Sequence, residues 1–335
     1  MYQAHFGLKR RPFASTPDGD YYYPATSHER ALASLLAAVL DLESITLLTG
    51  EPGTGKTLLC HRLLERLGPD VNNVFLANSH FSNRTALLQS ILFDLSLPYQ
   101  GLSEQELRLG LMDQLLKTYE AGRRTVLVVD EAQHLNADLL EELRLLGNLE
   151  AKDGRALQVV LVALPGFLEA LGRPETAGFR QRLAVRLALE PLDRHESADY
   201  LAQHIRAAGG RSHNIFTDEA LEILVASAHG IPRLLNQVGH QALLLAHSAN
   251  LNAVDAEVAL EALAILGLQT EPGQEEFAGL APLNQETEHY IEMDDIASDP
   301  VLPLTDGDEG LPSPPKHKPD GNGKSHQHYP PRRPA

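Results

Sequence analysis

The sequence predicts an α/β protein: a parallel sheet flanked by helices, then a small all-α lid domain, then a disordered tail. Three observations predict it. Short apolar runs alternate with amphipathic helical stretches between residues 45 and 189, the pattern of a parallel sheet covered by helices. From residue 191 to 268 only helical spacing of apolar residues remains. Beyond residue 268 prolines and acids replace large apolar residues, so that stretch cannot bury enough surface to offset its chain entropy. The expected division is 1–190, 191–268 and 269–335.

Taken in order, residues 1–30 carry Tyr2, Phe6, Pro12, Phe13, Pro17, Tyr21, Tyr22, Tyr23 and Pro24. Aromatics in that density are wasted in solvent, so the stretch reads as an ordered arm laid over a core. Ser27 or Thr26 can cap a helix over 28–41, with Glu29 in its first turn. Residues 45–59, ITLLTGEPGTGKTLL, read as a buried strand, a glycine-rich loop and the start of a helix that Gly68-Pro69 ends. Residues 74–77 make a short strand, and 85–95 a helix. Ser103 with Glu106 forms a capping-box pattern opening a helix that runs to Gly122. Residues 125–129 and 157–164 are continuous apolar runs suited to strands buried on both faces, and 139–149 is a leucine-rich helix. Residues 185–189 make an edge strand. Helices then cover 194–208, 217–229, 231–248 and 254–266, with Thr217 and Asp255 where caps or first-turn acids belong.

The densest chemistry lies in Gly50-Glu51-Pro52-Gly53-Thr54-Gly55-Lys56-Thr57, which fits G-x-x-x-x-G-K-[ST] at every fixed position. Glycines let backbone N–H groups turn inward on phosphate oxygens, and the following helix adds its positive end. The residues from Gly50 through Leu58 are therefore the candidate nucleotide contacts. Lys56 is placed to reach the β- and γ-phosphates, and the Thr57 hydroxyl to ligate Mg²⁺. The second decisive stretch is the 125–129 strand, which ends in Asp130-Glu131. A carboxylate there lies at the carboxyl edge of the sheet, beside the phosphate loop. Asp130 is the candidate Mg²⁺ partner and Glu131 the candidate group that polarises an attacking water. ATP and Mg²⁺ are the expected cofactors.

Composition narrows the classes. No apolar run reaches the roughly 18–20 residues of a membrane span, and the first residues have no apolar signal core, so a cytoplasmic protein is expected. The single cysteine, Cys60, cannot form an internal disulfide and reads as a small core residue. A formal net charge of −17 argues against coating nucleic acid, leaving only a local basic patch for that purpose. His326 and His328 in the tail read as solvated polar residues rather than metal ligands.

A phosphate loop, VVDEAQ and a following helical segment resemble an AAA+ ATPase. MYxxxFGLxxxPF, Thr16-Pro17-Asp18, LLTGEPGTGKT, VLVVDEAQHL, FRQRLAVRLALEPL and GIPRLLNQVGHQALL together resemble the ExeA/GspA family over residues 1–268. The resemblance implies that Arg233 is a sensor-2 arginine reaching from the helical segment to the phosphates. It implies that Arg182 or Arg180 is an arginine finger offered to a neighbouring copy's nucleotide, in an ATP-dependent homo-oligomer. It implies that Asn78 holds Glu131 when the site is idle. Two departures stand out. Leu164 occupies the position where the family has a polar sensor-1 residue, which bears on hydrolysis rate. The secretion-type proteins continue into a membrane span and a peptidoglycan-binding domain, whereas this chain has a polar tail. The implied output is an ATP-driven switch that energises or assembles a secretion or surface-export system. The alternatives are a DNA-directed transposition helper of the TniB kind, or a nucleotide-gated scaffold with weak hydrolysis.

Overall fold

In the computed structural model, residues 2–14, 21–152 and 154–268 are described. Thr16-Pro17-Asp18 and the 269–335 stretch, where disorder is expected and where His326 and His328 fall, lie outside those residues. The element order is α1 (Tyr2–His5), α2 (Thr26–Leu40), β1 (Ile45–Gly50), α3 (Lys56–Leu67), β2 (Val71–Leu76), α4 (Arg84–Asp94), α5 (Glu104–Glu120), β3 (Arg124–Val129) and α6 (Ala137–Gly147). It continues with the two-residue strands β4 (Glu150–Ala151) and β5 (Gly154–Arg155), then β6 (Leu157–Ala163), α7 (Phe167–Leu171), α8 (Ala177–Arg180) and β7 (Leu183–Leu189). Four helices close the described chain: α9 (Arg194–Ala207), α10 (Asp218–Ala228), α11 (Pro232–Ser248) and α12 (Ala256–Leu266).

The sheet has five strands in the order β2-β3-β6-β1-β7, all parallel. Period-2 alternation assigns its faces. Leu127, Val129, Val159 and Leu161 point into one core with α4, α5 and α6. Val126, Val128, Val160 and Val162 point into another with α2 and α3. The central strands are therefore apolar at nearly every position, as a sheet covered on both faces requires. A third core gathers α9 to α12 with Tyr2, Leu8 and Phe13 of the N-terminal arm. The arm is thus ordered where described, with Tyr2, Leu8, Phe13 and Tyr21 buried: the Lys9 amide donates to Ala208 O at 2.8 Å, and Tyr2 Oη lies 3.0 Å from His240 Nδ1.

Local rules explain most element ends. The Ser103–Glu106 capping box forms in both directions, and Thr217 and Asp255 cap α10 and α12. Two expectations change. Helix α2 starts after Ala25 with no side-chain cap of its own. Instead Glu196 of α9 accepts from the Thr26 amide at 2.8 Å, so a carboxylate distant in sequence satisfies the first turn. Strand β2 begins at Val71 rather than 74, because an edge strand tolerates the half-exposed Asn72 and exposed Asn73. No described helix is long and apolar enough to cross a membrane.

Candidate functional site

The site assembles at the carboxyl edge of the sheet. β1 ends at Gly50, the loop turns, and α3 starts at Lys56 with its amides facing the loop. Lys56 Nζ donates to Gly50 O at 2.8 Å and Glu51 O at 2.9 Å, so the ammonium is folded over the loop it serves. Burial pushes Lys56 below the usual lysine range, opposed by the negative charges of Glu131, Asp130 and Glu51. Thr57 Oγ1 donates to Asp130 Oδ2 at 2.6 Å, joining α3 to the end of β3. These hard oxygen donors fit Mg²⁺, which takes one or two protein oxygens and completes its shell with phosphates and water. Among the described residues no three or more His, Cys, Asp or Glu gather into a metal site of their own.

Glu131 follows with a left-handed backbone, φ 54° and ψ 35°, uncommon for a residue with a side chain. Four hydrogen bonds hold it, one of them from the His134 amide to its carbonyl at 3.1 Å. Its amide donates to Asp130 Oδ1 at 2.8 Å, its carbonyl accepts from Ser79 Oγ at 2.5 Å, and its carboxylate accepts from Gln133 Nε2 at 2.5 Å.

The opposite wall comes from α11. The Arg233 amide donates to Gly53 O at 3.2 Å. A Cβ on Gly53, whose φ is +85°, would lie 2.7 Å from Arg233 Cβ, so only glycine permits this approach. Below the loop, His28 of α2 is buried and its Nε2 donates to Thr54 O at 2.8 Å. Burial holds His28 below the ordinary histidine value, opposed by that hydrogen bond. Loop, sheet edge, α11 and arm enclose a cleft of about 480 Å³ lined by Lys56, Thr57, Glu131, Leu164 and Arg233, among others. That size suits a small-molecule ligand.

The sequence-predicted residues divide clearly. Gly50 through Leu58, Asp130, Glu131 and Arg233 converge. Asn78 does not reach Glu131: its Oδ1 accepts from the His80 amide at 2.8 Å and faces His80 Nδ1 at 2.9 Å. Arg180 and Arg182 are exposed and sit at the other end of the sheet. Ser44 Oγ donates to Arg182 O at 3.4 Å, and β7 runs parallel to β1, so about 20 Å of strand separates them from this chain's own loop. The sequence reading missed His28, Ser79 and Gln133. It also missed a polar stripe on α11, where Asn236, Gln237 and His240 follow Arg233 and line the same cleft. Their spacing of three, four and seven was a readable signal, since it puts all four on one helical face.

Residues 40–171 match the family model described as "AAA domain". General secretion pathway protein A of Aeromonas hydrophila is 36% identical over 273 residues, covering 81% of this chain and 50% of that protein. ATP-dependent target DNA activator B of Escherichia phage Mu is 31% identical over 140 residues, covering 41% of this chain and 42% of that protein. The chain thus spans about half the length of the curated relatives it matches. Among solved structures, the Aeropyrum pernix ORC2 protein superposes with a TM-score of 0.60 at 18% identity, covering 77% of this chain and 72% of that one. Cdc6p from Pyrobaculum aerophilum gives 0.61 at 19% identity, covering 75% and 71%. These two share the fold. The chain belongs to the AAA family, with a P-loop parallel sheet flanked by helices. Within that family its sequence is of the general secretion pathway protein A kind.

Proposed function

We propose that this protein binds ATP with Mg²⁺ in the cleft and hydrolyses it, using the energy as a conformational switch. The observation that carries the reading is the convergence of Lys56, the Thr57–Asp130 pair, Glu131 and Arg233 on one cleft. Loop amides and Lys56 bind the phosphates. Glu131 accepts a proton from water and orients it toward the γ-phosphorus. Arg233 brings a fixed positive charge from α11 to the oxygens that gain negative charge. Thr57 and Asp130 would hold Mg²⁺, whose chemistry there would be to neutralise phosphate charge.

The test is ATP turnover and fluorescent-nucleotide binding by the full chain. Lys56→Ala is expected to weaken binding by about 100-fold, from loss of a partly buried charge-assisted contact. Glu131→Gln is expected to bind nucleotide normally and to lower turnover by at least about 100-fold. Equal turnover by wild type and E131Q would remove Glu131 from the mechanism.

We further propose that the output is assembly or energising of a secretion or surface-export system, on the similarity to general secretion pathway protein A. Similarity to the Mu activator favours a second reading, action on DNA during transposition. A salt-dependent, ATP-dependent DNA mobility shift would select the second reading, and its absence the first. The net charge of −17 favours the first.

A further inference from the structure

The carboxylate of Glu131 has a neighbour with no role in the reading above. Gln133 makes two directional contacts. Its Nε2 donates to Glu131 Oε2 at 2.5 Å, and its Oε1 accepts from the Leu164 amide at 3.2 Å. The orientation of the amide is forced. A backbone N–H can only donate, so the oxygen must face Leu164, and the NH₂ group is left facing a carboxylate that can only accept. Nε2 also lies 3.4 Å from His134 Nε2. Gln133 thus bridges Glu131, just past β3, to the residue just past β6.

The bridge matters because of what surrounds it. Leu164 lines the cleft with an apolar side chain, so β6 offers no polar side chain there. Asn78 is engaged with His80. Ser79 and Asp130 fix the Glu131 backbone but leave its side-chain torsions free. Among the described residues, the Gln133 amide is the one side chain hydrogen-bonded to the Glu131 carboxylate.

We propose that Gln133 is a positioning residue for hydrolysis: it fixes the Glu131 carboxylate and ties it to the end of β6 through the Leu164 amide. This rests on the reading of Glu131 as the group that activates water. A glutamine serves because one planar amide supplies a donor on one side and an acceptor on the other. An aspartate, glutamate or lysine offers only one of these at neutral pH. Gln133 touches the reaction through Glu131, so its loss slows the chemical step and spares nucleotide binding.

The experiment compares wild type, Q133E, Q133A and E131Q for kcat, KM, fluorescent-ATP affinity and Tm. Q133E is the decisive variant. It has the same shape and still accepts from the Leu164 amide, yet it loses the donor to Glu131. The expected result is a fall in kcat of at least about 10-fold in Q133E and Q133A, with KM and nucleotide Kd within about twofold of wild type. Should Q133A prove unstable, Q133E alone decides. A kcat for Q133E within about 10-fold of wild type, or above it, overturns the proposal. So does a parallel loss of nucleotide affinity, which marks a merely structural role. If E131Q turns over like wild type, the reading of Glu131 fails and the proposal falls with it. If E131Q is inactive while Q133E is normal, only the proposal about Gln133 fails.

Discussion

Gly230 shows how a single residue fixes the relation between the end of the sheet and α11. Its φ is +73°, and a Cβ there would lie 2.0 Å from Leu192 O. The Leu192 amide in turn donates to Gly230 O at 2.9 Å. Gly230→Ala therefore combines left-handed strain with a backbone clash, costing about 2–4 kcal/mol. The expected outcome is a Tm lower by about 10 °C. A variant melting within about 2 °C of wild type would show that the chain relaxes there cheaply.

At the level of elements, the arm and α9 form one aromatic unit around His204. Its ring stacks with Tyr21 at 5.2 Å and Phe13 at 6.0 Å, and lies 3.9 Å from Tyr200. Burial pushes His204 from 6.5 to about 4, opposed by its hydrogen bond to Tyr200 O. A lowered histidine stabilises fully above its unfolded value and loses that contribution as pH falls. Between 6.5 and about 4 the unfolded chain binds the extra proton, at a cost of roughly 3 kcal/mol over the window. Urea titrations from pH 7 to 4.5 are expected to show wild type losing more stability than His204→Asn. Equal losses would assign the pH dependence elsewhere.

Elements whose reasons are local were legible in the sequence. The Ser103 capping box, the Thr217 and Asp255 caps, the phosphate loop and the buried strands follow from neighbours a few residues apart. What was hidden depends on partners far along the chain. Glu196 satisfies the start of α2 across 170 positions, and no pattern near Thr26 signals it. The β4–β5 hairpin is two short pairs with no alternation to read. In the site, Asn78 was assigned through family likeness, whereas the carboxylate contact belongs to Gln133. The contact itself is two residues long, but its anchor on the Leu164 amide depends on the strand order that sets β6 beside β3.

For the whole molecule, the positions of Arg180 and Arg182 decide what one copy can do alone. Both sit at the far end of the sheet from the loop, so within one chain neither reaches the cleft. We propose that they serve a neighbouring copy. ATP turnover per chain is then expected to rise with protein concentration, and Arg182→Ala or Arg180→Ala to flatten that rise by about 10-fold or more. Flat specific activity in wild type would leave the site self-sufficient.

The contact between Gly53 O and the Arg233 amide has a thermodynamic consequence in both directions. Whatever the cleft holds is gripped by the loop and α11 together. If a filled cleft favours one setting of α11, a partner that prefers the same setting tightens nucleotide binding by the factor by which nucleotide tightens the partner. Nucleotide affinity therefore offers a view of the partner: it should rise or fall when α9 to α12 are engaged, whatever engages them.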